Sequence, residues 1–165
     1  MPKITKFDTN QLLDTLDLQA QKELSKTDAQ LASAFFFQYF KRVPQEDLRG
    51  ENSDDLYKLA TAHLNAARQK KRGQVQVRAY NPVNPSETSG SAFTIVEVTS
   101  DDMAFLVDSV QMALNRLGYT IHLTIHPVMG ITRDKQIVFI VFPRQPHVDF
   151  QTLMHVTHTV LVPRG

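Results

Sequence analysis

Four groups of side chains in this 165-residue chain are of types that could do chemistry. The first is histidine. His122 and His126 stand four apart in an alternating stretch, so on a strand they share a face. At ~3.3 Å per residue they lie roughly 13 Å apart, whereas one zinc needs its ligand atoms about 2 Å away. His155 and His158, three apart on a further expected strand, point to opposite faces. His63 falls on a helical apolar stripe and reads as a core or boundary histidine. No metal site is expected.

The second group is Asp101, Asp102 and Asp108, a set that could serve acid–base work. Asp101 and Asp102, however, stand at an expected helix N-terminus, where carboxylates are stabilised without any catalytic role, and Asp108 falls two turns further on. Ser91 lacks a G-x-S-x-G context, and the chain has no Cys to act as nucleophile or metal ligand. The six glycines, at 50, 73, 90, 118, 130 and 165, are too scattered to write G-x-G-x-x-G or G-x-x-x-x-G-K-[ST]. The expectation is a chain with no catalytic residue, no metal and no cofactor site of its own.

The third group is basic: Arg68, Lys70, Lys71, Arg72 and Arg78. Lys70, Lys71 and Arg72 are explained as a helix C-terminus meeting its own dipole. With a net charge of +1, and with only Tyr80 and Phe93 near the charge, no nucleic-acid platform is expected. The longest uninterrupted apolar run, Ile137–Phe142, is too short to cross a bilayer, and the polar start MPKITKFDTNQ has no secretory apolar core. A cytoplasmic protein without a membrane partner is the expectation.

The fourth group is the strand–loop–helix junction from Val96 through Ser100, Asp101, Asp102, Met103, Ala104 and Phe105 to Leu106. It aims free N–H groups and a positive helix end at whatever lies above the strand, which would suit a small anion such as an amino-acid carboxylate. A plain capped helix explains the same residues.

The elements that must position these groups follow from periodicity. Residues 9–24 place Leu12, Leu13, Leu16 and Leu18 among polar neighbours. Thr27 is the expected cap of a helix running to Arg42, whose Phe35, Phe36, Phe37, Tyr39 and Phe40 ring the cylinder and demand cover on more than one side. Pro44 stops it. Ser53 is the expected cap of the next helix, with Asp54 and Asp55 in its first turn, an apolar stripe from Leu56 to Ala67, and Gly73 past its end.

After Gly73 the period changes to 2, with Val75, Val77 and Ala79 expected on the buried side of a strand. Residues 81–90 are turn-rich. Phe93–Val98 is a second strand, Ser100 or Asp101 caps a helix closed by Gly118, and strands follow at Tyr119–Val128, Gln136–Phe142 and Leu153–Val162. The helix between Phe93–Val98 and Tyr119–Val128 is long enough for a crossover, implying parallel strands. This predicts an α+β chain: a helical segment at 1–73, then a ferredoxin-like sheet at 74–165, incomplete at its C-terminus. Ile137–Phe142 is apolar at every position, so its second face must meet the helical segment or another subunit.

Beyond Tyr80 the residues carry a resemblance. Tyr80-Asn81-Pro82, Thr94–Val98, Asp101–Val110, Leu114–Gly118 with Ile121-His122, and His126-Pro127-Val128 resemble the N-terminal region of the large bacterial NAD-specific glutamate dehydrogenase. The resemblance implies a regulatory or assembly region with an ACT-like domain, cut from an enzyme that converts L-glutamate and NAD to 2-oxoglutarate, ammonia and NADH. It implies NAD in the parent enzyme only, and as partners the remainder of that enzyme, a homo-oligomer through the sheet and an amino-acid effector at Ser100–Phe105. Amino-acid-binding ACT domains usually place a glycine in the loop entering the first helix, where this chain has Ala104. A stand-alone amino-acid sensor or a subunit-joining module are the alternatives. Leu161–Gly165 is similar to a protease-tag remnant.

Overall fold

In the computed structural model, residues 8–71, 73–81, 93–132, 140–142 and 153–163 are described. Helix α1, Thr9–Glu23, is capped by Asp8, whose carboxylate accepts the Asn10 N–H, and buries Leu12, Leu16 and Ala20 at four-residue spacing. Helix α2 spans Lys26–Phe40. Its cap is Ser25 and not Thr27: the Ser25 hydroxyl accepts the Asp28 N–H and donates to the Asp28 carboxylate. It ends at Phe40, two residues before Arg42, and Pro44 opens a further one-turn helix, α3 (Gln45–Leu48). Helix α4, Ser53–Gln69, is capped by Asn52, which accepts from the N–H groups of Asp54 and Asp55, so Ser53 is the first helical residue. Its C-cap is Lys70, which leaves Gly73, at φ +74°, beyond the terminus as a separate turn.

The aromatic cluster behaves as its spacing requires. Phe35, Phe36, Tyr39 and Phe40 are buried among α1, α2 and α4, Tyr39 stacks on Phe35, and Phe36 meets Tyr57 edge-on. Each such ring contributes about 1.5–3 kcal/mol on burial. Phe37, on the outer side, is covered by Lys41 with its ammonium 5.5 Å from the ring centre.

The sheet contains β1 (Gln76–Tyr80), β2 (Phe93–Asp101), β3 (Leu123–Ile125), β4 (Val128–Thr132), β5 (Ile140–Phe142) and β6 (Leu153–Pro163). Its order is β1-β2-β6-β4-β5, with β3 also paired to β6. Strands β2, β3 and β4 are each antiparallel to β6, so β2 and β3 run parallel with β6 between them. This is the crossover arrangement expected of the ferredoxin-like unit, bridged by α5 (Leu106–Arg116). The single strand expected at Tyr119–Val128 is two, interrupted at His126-Pro127, because proline has no N–H for the ladder. Of the apolar run Ile137–Phe142, Ile140–Phe142 forms β5 beside β4, and residues 137–139 lie outside the described residues.

One core joins helices and sheet. Ile95, Leu123, Ile125 and Met129 pack with the buried residues of α1, α2 and α4, and Tyr80 and Phe93 border them. The helical segment thus covers one sheet face. Helix α5 lies on the other, because Gln111 donates to Thr124, which alternates with the inward Leu123 and Ile125. The face of β1 is reversed from the sequence expectation: Val75 and Val77 are exposed, and Arg78 and Tyr80 turn toward the helices. A buried carboxylate on β2 explains the reversal.

Candidate functional site: a polar seam and the loop beside it

Along the helix-facing side of β2, Ile95 is followed at alternate positions by Glu97, Thr99 and Asp101. Each is tied to the elements packed over or beside it. Glu97, 1% exposed, faces Arg78 across the β1–β2 ladder. Arg78 Nε donates to Glu97 Oε2 at 2.9 Å, its Nη2 donates to the same oxygen, and Tyr80 Oη donates to Oε1 at 2.7 Å. The Nη2 group also donates to the Ala62 carbonyl of α4 at 3.3 Å. An unpaired carboxylate this deep would be costly, so Glu97 draws the Arg78 and Tyr80 face inward and turns the valines out. Burial first, and then the hydrogen bond to Glu97, push the Tyr80 phenol well above its ordinary range.

Two positions on, Thr99 Oγ1 lies 3.3 Å from His63 Nε2, and Tyr39 Oη lies 3.1 Å from His63 Nδ1. His63 is fully buried and links α2, α4 and β2, so it is the core histidine its stripe implied. Two further on, Asp101 Oδ1 accepts from Lys70 Nζ at 2.6 Å while its Oδ2 accepts the Gly73 N–H at 2.9 Å. The Lys70 side chain has no exposed surface, so it is a buried cation with a fixed partner and not a solvated helix end.

Arg68 is likewise occupied. Arg68 pairs with Asp28 at 2.9 Å, tying α4 to α2. The Ser25 hydroxyl and then Arg68 hold the Asp28 carboxyl below the usual carboxylate range. Arg72 lies outside the described residues.

The six residues singled out as a ligand loop separate into two kinds. Ser100 is buried, with its hydroxyl donating to the Asp101 carbonyl, and Asp101 belongs to the seam. Asp102, Met103, Ala104 and Phe105 are exposed. Neither Ser100 nor Asp101 caps α5, since β2 runs on through Asp101. The helix starts at Leu106, which brings Asp108 into its first turn instead of its second. Phe105 holds the N-cap position at φ 62°, and no side chain caps the first turn. It is the one non-glycine residue with positive φ among those described, a conformation costing about 1–2 kcal/mol for an L residue.

His122 and His126 stand at the two ends of β3. His122 stacks on Phe93 and lies 3.1 Å from Glu51, which ties the α3–α4 connection to the sheet. Among the described residues no group of three or more His, Asp or Glu is placed to hold a metal, and no helix is long and apolar enough to cross a membrane. His155 and His158 stand on β6.

The seam was missed because each of its parts has an ordinary local explanation. The available signal was Glu97, Thr99 and Asp101 at period 2 inside an otherwise apolar strand, which marks a polar stripe that must find partners.

Fold and seam together define an α+β domain of the ACT-like type, backed on one sheet face by helices. Residues 35–160 match the family model described as the ACT1 domain of glutamate dehydrogenase, and the chain belongs to that family. It is 34% identical over 125 residues to the NAD-specific glutamate dehydrogenase of Halomonas elongata, covering 76% of this chain and 8% of that protein. To the NAD-specific glutamate dehydrogenase of Pseudomonas aeruginosa it is 35% identical over 100 residues, or 61% of this chain and 6% of that protein. The chain therefore spans less than a tenth of the length of these curated relatives. No solved structure matches it.

Proposed function

We propose that this chain is a regulatory and assembly region of an NAD-dependent glutamate dehydrogenase. The parent enzyme would oxidise L-glutamate to 2-oxoglutarate and ammonia with reduction of NAD, using residues outside this stretch. The observation that carries the reading is the use of the chain's strongest polar groups: Glu97, Arg78, His63, Lys70 and Asp101 hold helices to strand and so build a rigid body. Each pair has one fully buried partner, so separating the elements would leave a buried charge uncompensated, which suits a part whose task is to hold others.

The test is made on the parent enzyme. Removing residues 8–163 should alter its oligomeric state or its response to amino acids while leaving bound NADH measurable by its fluorescence. Unchanged assembly and unchanged kinetics would exclude the reading.

A second reading, amino-acid binding, is favoured by Asp102–Phe105, which stand exposed before a helix whose first turn has no side-chain cap. Titration calorimetry with a panel of amino acids decides it: heat from one of them supports an effector loop, and silence at millimolar concentration removes it.

A further inference from the structure

Among the side chains described in the seam, His63 is the one whose type changes charge near neutral pH. Its imidazole has no exposed surface. Tyr39 Oη lies 3.1 Å from Nδ1, with the two rings edge-on, and Thr99 Oγ1 lies 3.3 Å from Nε2. A hydroxyl donates to a bare ring nitrogen or accepts from a protonated one, so these two partners suit the neutral ring in either tautomer. Neither hydroxyl brings a negative charge to balance an imidazolium.

The charged groups of the surrounding elements are engaged with one another. On β2, Glu97 and Asp101 flank Thr99 on the same face, and each already holds a cation, Arg78 of β1 and Lys70 at the end of α4. Arg78 also reaches α4 directly beside His63, where its Nη2 donates to the Ala62 carbonyl. From α2 the titratable group is Tyr39 itself, and further along α2 and α4 Asp28 and Arg68 pair with each other. The buried face of α1 is Leu12, Leu16 and Ala20, and Glu23 acts on Tyr57. Across the β2–β6 ladder, His155 is in register with Asp101. A proton added to His63 therefore places a positive charge in a desolvated site where both seam carboxylates are already matched by cations.

We propose that His63 makes the packing of the helices on the sheet sensitive to acid, so that taking up a proton there loosens α2 and α4 from β2. The proposal goes beyond the assembly reading and does not rest on it. Below about pH 6.5 the unfolded chain binds a proton at this histidine and the folded chain excludes it, so the stability it contributes is complete above that pH and is lost as pH falls. One excluded proton lowers the folding equilibrium constant by at most about tenfold per pH unit. This window lies above the one in which a carboxyl such as Asp28, itself held low, takes up a proton.

The experiment is urea unfolding of the 165-residue chain and of His63→Gln at about pH 7 and about pH 5.5. Glutamine keeps a donor and an acceptor in the core but takes no proton. The folding constant of the wild type divided by that of His63→Gln should fall roughly eightfold between the two conditions, the change for a proton bound only by an unfolded chain of pKa about 6.5. An unchanged ratio overturns the proposal. Where His63→Gln does not fold, nuclear magnetic resonance of the wild type decides. Its His63 ring should keep the signals of a neutral imidazole down to about pH 5.5, while the amides of α4 and β2, corrected for intrinsic exchange, lose protection relative to about pH 7. A His63 ring that protonates near pH ~6.5 with those amides equally protected overturns it as well.

Discussion

The ammonium of Lys70, with no exposed side-chain surface, sits 2.6 Å from the carboxylate of Asp101, so the end of α4 is fastened to the end of β2. Asp101 keeps 40% of its side chain exposed and uses its second oxygen on the Gly73 N–H. One carboxylate thus fixes both the helix terminus and the turn that leads into the sheet. The same residue begins the loop that enters α5, so the helical segment and that loop cannot move independently at this point.

Asp101→Ala leaves Lys70 buried without its anion and should lower stability by roughly 1–3 kcal/mol, below the full loss for a completely buried pair. Lys70→Met on the same background should recover most of that loss, because the uncompensated charge is then gone. Urea unfolding of the two single variants and the double variant measures the coupling. Additive losses would show that the pair does not interact.

Tyr80 supplies the alkaline counterpart. Its phenol is raised by burial and by the bond it donates to Glu97. A folded-state pKa above the unfolded value contributes stability that is complete below about pH 10 and is lost as pH rises above it. The stability difference between wild type and Tyr80→Phe should therefore be constant through neutral pH and shrink in alkali. Ultraviolet titration should show one late-ionising tyrosine that Tyr80→Phe removes. Ionisation of Tyr80 near pH 10 in the folded chain would contradict the buried bond.

The two ends of α5 make opposite demands on the backbone. Gly118, at φ +82°, closes a Schellman motif in which its N–H bonds the Asn115 carbonyl and the Tyr119 N–H bonds the Leu114 carbonyl. A Cβ there meets nothing within 4 Å, so Gly118→Ala should cost only the backbone term, about 1–2 kcal/mol. Phe105→Gly relieves a left-handed residue and should leave the isolated chain's melting temperature equal or higher, offset in part by the entropy of the unfolded chain. A marked loss on Phe105→Gly would mean that the ring packs within this chain.

Helix existence was readable from the sequence because Leu12, Leu16, Leu56, Ala60 and Leu64 repeat at helical spacing. The caps were not: Ser25 and Asn52, two residues and one residue before the expected Thr27 and Ser53, win because their oxygens reach the first free N–H groups. The sheet's parallel pair was implied by the length of the connection, and its filling by β6 follows from the ferredoxin-like pattern. The inward face of β1 is the reverse of the one that alternation predicts, because hydrophobic alternation assumes that the apolar side is buried. Here Glu97 of a neighbouring strand, invisible to local periodicity, decides the register of faces. The start of α5 differs from the sequence expectation for a related reason. Asp101 looks like a cap but is claimed by Lys70, 31 positions earlier in the chain. Of the proposed ligand loop, Asp102–Phe105 stay accessible, and Ser100 and Asp101 are engaged within the fold.

On the function proposed above, this domain holds parts of a dehydrogenase together and leaves the bond-making to the rest of the enzyme. The most direct test is absorbance at the NADH band after mixing the purified chain with L-glutamate and NAD, beside the parent enzyme as positive control. The expected result is NADH formation by the parent and none by the chain. Glutamate-dependent NADH formation by the chain alone, persisting through repurification and abolished by unfolding it, would contradict the account.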